Sequence, residues 1–292
     1  MSVRLLLIGA MLTAALAAGT WHDRRRETPR VVLSGYQVLA VDFHVHTHPL
    51  SSAALTPWDV VTEAQRAQLD AIAVTPHNHV WAAKMARWFS GLIGGPIVLV
   101  GEEISASQCD LLAVGIDQTI AWGRRALRTI GDIRRQGGIA IAAHPLPGDW
   151  PGCDEAVARL DGSEVVHPLV FGNDENAAAL RAFNARGEMA AIGDTDFHIG
   201  QFGMARTYVF ARERSAEAIV EAVRARRTVV YDRGRAYGDP ALVQLAAEDG
   251  RLPRMAEDAA PRRLGTVDGA VAIAGLIAAI LFGFRERTTL ER

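Results

Sequence analysis

The chain has 292 residues, 49% hydrophobic and 22% charged, a balance that suits one large folded domain or two small ones and excludes a disordered chain. With 31 Lys and Arg against 33 Asp and Glu there is no basic field, so no duplex nucleic-acid partner is expected. Cys109 and Cys153 permit at most one disulfide and fit no C-x-x-C spacing, which rules out a disulfide scaffold.

Residues 5–21 (LLLIGAMLTAALAAGTW) carry no charge, follow Arg4 and end in small residues of the A-x-A kind, so 1–27 is expected to be a signal peptide or an N-terminal membrane anchor. A second uncharged run, 269–284 (GAVAIAGLIAAILFGF), has no polar face and precedes Arg285 and Arg287. Extended back to Leu264, it is expected to be a transmembrane helix over 264–284. The domain between them is therefore expected to be membrane-associated. Its face stays open: Arg24, Arg25, Arg26 and Arg30 favour the cytoplasm, whereas the A-x-A pattern and the arginines after the second run favour export.

Between these runs the chain alternates strand-like and helix-like segments. VLAVDFHVH (38–46) reads as a strand, followed by a helix announced by Thr56 as N-cap and Pro57 at the first helical position. AIAVTPH (71–77), IVLVGEEIS (97–105), LLAVGI (111–116), IAIAAHP (139–145), EVVHP (164–168), MAAIGDTDFH (189–198) and RTYVF (206–210) read as buried parallel strands. TIGDIRRQGG (129–138) ends a helix in glycines, and NDENAAALRAFNARG (173–187) opens acidic and closes on Arg and Gly, as the helix dipole and C-cap favour. Seven or eight βα units predict an α/β barrel rather than an open sheet. Residues 236–263, rich in Gly, Pro and charge, are expected to be a C-terminal flap and linker.

Six of these segments end in metal-ligand residue types: His44 and His46, then His77, Glu103, His144, His167, and finally Asp196 and His198. In a parallel barrel the C-terminal strand ends ring one mouth, so residues about 150 positions apart can meet there. Residues two apart on a strand share a face, which lets His44 with His46, and Asp196 with His198, each grip an ion from one side. Imidazoles mixed with carboxylates suit zinc, manganese or iron better than calcium or magnesium. Glu102 and Glu103 compete for one role, since alternation puts them on opposite faces. His22, His48 and His79, taken singly, read as structural histidines.

The set resembles the polymerase and histidinol phosphatase (PHP) family of metal-dependent phosphoesterases over roughly residues 38–235. DFHVHT (42–47), LDAIAVTPHN (69–78), VGEEIS (100–105), IAAHP (141–145) and GDTDFH (193–198) are similar to its ordered motifs. The resemblance implies a distorted (β/α)7 TIM-like barrel with two or three divalent metals, and it selects Glu103 over Glu102. It would place His44, His46, Glu103 and Asp196 on the first ion, Glu103, His144 and His167 on the second, and His77 and His198 on a third. The chain departs from the family at that third site. Ser52 stands where many relatives carry Asp, and Pro76 precedes the second-motif His where Asp is usual. His48, in a loop one residue longer than usual, is the candidate substitute third-metal ligand. A strong binuclear centre with a weak or absent third ion is expected.

The expected chemistry is hydrolysis of phosphate mono- or diesters by a metal-activated hydroxide. Asp196 is the candidate to take the water's proton, and His198 or His77, if no metal claims it, the candidate to protonate the leaving alkoxide. The expected substrate is a phosphorylated small molecule or nucleotide. Two alternatives stand beside it: hydrolysis of a non-phosphate ester or amide on the same metals, and a metal-binding module that has lost catalysis.

Overall fold

The long apolar run beginning at Tyr36 becomes the strand around which the sheet is built. The computed structural model describes residues 30–258 except 49, 50, 149, 151, 152, 171 and 201. The expected signal or anchor segment (1–27) and transmembrane helix (264–284) lie outside the described residues. Among the described residues, no helix is long and apolar enough to cross a membrane.

β1 (Val31–Leu33) folds back antiparallel on β2 (Tyr36–Val45). From β2 the sheet runs parallel through β3 (Ala71–Val74) to β4 (Ile97–Ser105). β5 (Asp110–Val114) is antiparallel to β4 and to β6 (Ile139–Ala142), after which β7 (Gly162–Val166) and β8 (Ala190–Gly193) are again parallel. On the other edge of β2 follow β9 (Thr207–Ala211), β10 (Thr228–Asp232) and β11 (Arg235–Gly238), each antiparallel to its neighbour. Beyond β8 the chain returns to β2 through an isolated Val45–Phe197 bridge. The His46 amide donates to Phe197 O and the Phe197 amide to His44 O, both at 3.1 Å. The sheet thus closes toward a barrel at the C-terminal end of β2.

The sequence reading made every strand parallel, and here it is corrected: 111–116 and 206–210 run the other way. Only residues 106–109 separate β4 from β5, far short of the dozen or so that a parallel crossover needs. Likewise, among the described residues of 194–206 there is no helix to carry a crossover into β9. The six strands that do share a direction, β2, β3, β4, β6, β7 and β8, are the six whose ends carry the ligand-type residues.

Helices α1 (Pro57–Arg66), α2 (Trp81–Ile93), α3 (Ala126–Arg135), α4 (Asp174–Asn184) and α5 (Ala216–Arg224) join these strands. α1 starts where Thr56 and Pro57 say it should, with Thr56 and Asp59 forming a reciprocal capping box. The expected flap over 236–263 is ordered structure as far as the described residues go, made of β11, α6 (Pro240–Asp249) and α7 (Arg251–Asp258). Its Gly and Pro are helix punctuation rather than linker: Asp239 caps α6, Pro240 opens it, and Gly250 ends it at φ +71°. Ala246 and Leu252 of this segment are fully buried. Inside the barrel Leu39, Val41, Phe43, Ile141 and Ile192 form one apolar cluster with Ile219 and Val223 of α5. Cys109, in the β4–β5 turn, is disulfide-bonded to Cys153, 44 residues on.

Candidate metal centre

β2 places the first two ligands. Its inward series Leu39, Val41, Phe43 meets a pairing irregularity between Asp42 and Val45, the kind of local break that re-aims side chains next to sites. Past that break His44 and His46 point together, their Nε2 atoms 2.9 Å apart. The Phe197 bridge then lays Asp196 and His198 against them. This closing loop is pinned by Asp42, whose carboxylate accepts from the Thr195 hydroxyl (2.6 Å), the Thr195 amide (3.1 Å) and the His44 amide (3.3 Å). Glu103 and His77 are aligned by an extra bridge beyond β3, in which the Glu103 amide donates to Pro76 O (3.2 Å) and the Asn78 amide to Glu103 O (2.9 Å). His144 and Asp196 hold left-handed backbone conformations, φ +31° and +43°, uncommon for non-glycine residues and characteristic of sites that the surrounding fold constrains.

Four ligand atoms converge first: His44 Nε2, His46 Nε2, Glu103 Oε2 and Asp196 Oδ1. Five of their six separations lie between 2.9 and 3.3 Å. Ligand atoms around a tetrahedral ion with bonds of about 2.0–2.1 Å stand roughly 3.3–3.4 Å apart, so the set fits a zinc-sized divalent cation with little adjustment. The other Glu103 oxygen, Oε1, lies 3.0 Å from His144 Nε2, in a second group that includes Asp110. Glu103 thus faces two groups of ligands at once. His46, His77 and His198 form a third group, with the His46 ring 4.5 Å from that of His77 and 4.1 Å from that of His198. Glu103 Oε2 also reaches His77 Nδ1 at 3.0 Å. His167 Nε2 lies 3.4 Å from Asp196 Oδ2, beside Glu164 and Asp194. All eight residues singled out in the sequence therefore meet at one mouth. His44 is fully enclosed and the His77 side chain is 44% exposed, so the group opens to solvent on the His77 side.

His48, the candidate substitute ligand, is exposed and belongs to none of these groups among the described residues; its amide donates to Leu55 O (2.7 Å). Glu102 turns away from the cluster and accepts from the Ile120 amide (2.6 Å), burial pushing its carboxyl up to about 7.

Three carboxyl groups complete the site without having been singled out. Glu164 is buried, accepting from His44 Nδ1 (2.8 Å) through one oxygen and from the His144 amide (2.6 Å) through the other. Since Nδ1–H must face the carboxylate, the neutral His44 ring is set in the tautomer that leaves Nε2 bare toward the cluster. Asp194, buried next to Glu164, is pushed well above the carboxylate range by burial and by that neighbour's charge. Asp42 is raised by burial to about 6, even though three donors oppose the shift. The signal for Glu164 and Asp42 was an acidic residue inside a largely apolar strand, and for Asp194 an acid at a buried strand end.

Without metal the cluster holds its own counterions. Burial lowers the His44 imidazole, but Asp196 and Glu103 outweigh it and raise the group well above its ordinary value. Burial raises Glu103 and Asp196, but His44 and the surrounding imidazole hydrogen bonds hold both below the carboxylate range. His144 is opposed by burial yet rises to about 9 through Glu103 and Glu164. A metal ion would replace these protons as the positive charge.

No protein-family model matches the chain. An uncharacterised protein of Methanocaldococcus jannaschii is 25% identical over 142 residues, 44% of this chain and 81% of that one. Among solved structures, a two-domain protein of Bacteroides vulgatus containing a predicted PHP-like metal-dependent phosphoesterase superposes with a TM-score of 0.62 at 23% identity, covering 77% of this chain and 73% of its own. A Bifidobacterium adolescentis protein assigned by prediction as a metal-dependent phosphoesterase reaches 0.44 at 20% identity, over 55% of this chain and 87% of that one. The barrel that gathers these histidines and carboxylates has the fold of a PHP-like metal-dependent phosphoesterase.

Proposed function

We propose that the chain is a metal-dependent hydrolase of phosphate esters. The observation that carries this reading is Glu103, one oxygen facing His44 and His46 and the other facing His144. Such a carboxylate is suited to bridge two divalent cations, with zinc, manganese and iron the natural candidates for this donor set. Bound divalent metal supplies Lewis acidity toward phosphoryl oxygens and makes water a competent nucleophile at neutral pH.

The chain's own side chains do the rest. His44, held by Glu164, and His46 turn their Nε2 atoms to the same point, while Glu103 and Asp196 supply the balancing negative charge. Asp196, 20% exposed, faces buried His167 through Oδ2 (3.4 Å) and is the carboxylate placed to accept a proton and pass it on. His198 donates Nδ1–H to the Asp196 carbonyl (3.1 Å), which leaves Nε2 to serve as a ligand when neutral or as a donor to a leaving alkoxide when protonated. The partly exposed His77 and His198 mark the side from which substrate, a phosphorylated small molecule or nucleotide, would enter.

The same proposal makes the protein membrane-associated through its two uncharged terminal runs. The Cys109–Cys153 disulfide favours an oxidising compartment for the barrel, since such bonds are rare where thiols are kept reduced.

The test compares hydrolysis of an aryl phosphomonoester and an aryl phosphodiester by the manganese- or zinc-loaded protein and by Asp196→Ala. Turnover that a chelator abolishes and the variant lacks is expected. Protein shown to hold two metals per chain but inert toward both esters would move the reading to a non-phosphate ester or amide.

A further inference from the structure

Helix α2 turns most of its large apolar side chains outward. Its fully buried residues are small, Ala82, Ala83, Ala86 and Ser90, and of its large apolar side chains only Phe89 and Ile93 pack partly against the core. Trp81, Met85, Trp88 and Leu92 are all exposed, Trp88 at 67% and Leu92 at 63%. At 100° per residue these four fall within an arc of about 60°, a single stripe roughly 16 Å long. Burial of apolar surface ordinarily sorts a helix the other way, large side chains inward and small or polar ones outward. Nine large hydrophobic side chains are exposed among the described residues; four are on α2 and a fifth, Trp58, is on the adjoining α1. The clustering is therefore a property of one face rather than of the surface at large.

The geometry points to this face as a membrane-docking surface, seated in the headgroup and upper acyl region of a phospholipid bilayer. Three features of the chain select lipid as the occupant. Indole rings and long apolar side chains beside basic groups are the composition of interfacial helices, and α2 carries Lys84 and Arg87 and no acidic residue. The acid beside the stripe is Asp117, paired with Arg87 (3.3 Å) and Lys84 (3.7 Å), so two cations stand against one carboxylate there and the local charge toward anionic headgroups stays positive. The chain also has two uncharged runs, 5–21 and 269–284, each with the composition of a membrane-seeking segment. Docking would set the barrel mouth beside the headgroups, because Trp81 stacks on His79 (ring centroids 5.4 Å apart), two residues from His77.

The test uses site-directed nitroxide labels on the full chain in vesicles of phosphatidylcholine and phosphatidylglycerol. Because Cys109 and Cys153 are bonded to each other, a label goes to an introduced thiol. Trp88→Cys and Leu92→Cys probe the stripe, Met85→Cys serves if either misfolds, and Glu188→Cys, whose native side chain is 88% exposed, reports water. Accessibility to dissolved oxygen, which concentrates in lipid, is read against accessibility to a water-soluble nickel chelate. Labels on α2 with an oxygen-to-nickel ratio several-fold above that at 188 are expected. A ratio equal to that at 188 overturns the proposal. Low accessibility to both reagents overturns it too, showing the face covered by protein, such as a second copy of the chain.

Discussion

Glu164→Gln isolates the contribution of a buried carboxylate that touches no expected substrate. In the native site one oxygen accepts from His44 Nδ1 and the other from the His144 amide, at 2.8 and 2.6 Å. Glutamine keeps the shape but has only one acceptor oxygen. The His144 amide is an obligatory donor, so it claims that oxygen and the new NH2 group faces His44. The imidazole then satisfies the NH2 by moving its proton to Nε2, the atom that must be bare to bind metal. Reversing that tautomer leaves a buried donor facing a donor, at a cost of about 1–3 kcal/mol. This agrees with the 10- to 100-fold loss of affinity, about 1.4–2.7 kcal/mol, usual when the partner of a ligating histidine is removed. The loss should also grow with pH. Native His44 is held well above its ordinary value, in part by Glu164, so native affinity keeps rising as that proton leaves, whereas the variant's less basic ring has little left to release. Competition against a chromophoric chelator at neutral and alkaline pH measures both effects. A folded Glu164→Gln that binds zinc within twofold of the native protein at alkaline pH would refute this account of how His44 is oriented.

Two further predictions rest on the cluster's charge and on the disulfide. His144 is raised to about 9, so the stability its protonated form lends the metal-free fold is complete below about pH 6.5 and lost as pH rises through about 9; the ring must be neutral to bind metal. The gain in Tm on adding manganese should therefore widen between those limits, and a gain independent of pH in calorimetry would contradict the protonated cluster. Cys153→Ser opens a loop closed across 44 residues, worth about 4 kcal/mol in the chain-entropy model and a fall in Tm of roughly 8–16 °C, with metal content unchanged. A shift of less than about 3 °C would show that the β4–β5 turn and the segment at Cys153 are held together by packing alone.

The strands were legible because burial on both faces leaves an unmistakable mark: runs such as AIAV and IAIA have no polar residue to place outside. Direction was less legible, since a buried antiparallel strand in a barrel has the same composition as a parallel one. The deciding signal was spacing. The short gap between 105 and 111 forbids a crossover, and weighing it would have turned β5 around from sequence alone. The segment after Arg235 misled for a related reason, because Gly and Pro mark the ends of helices as well as their absence.

The candidate ligands were legible because histidine is scarce and strand ends are where a barrel points its side chains, so their coincidence carried more information than any single residue. The carboxyl groups that hold those ligands escaped for an equally physical reason. Glu164, Asp42 and Asp194 are ordinary acidic residues by composition, and what sets them apart is burial, which shows in the sequence only as an acid set within or at the end of an apolar run. A buried acid needs donors, and the donors of Glu164 are a ligand ring and a ligand's own amide. An acidic residue within an apolar strand just before a candidate ligand is therefore itself a sign that the ligand is real. EVVHP contained both halves of that inference, in Glu164 and His167.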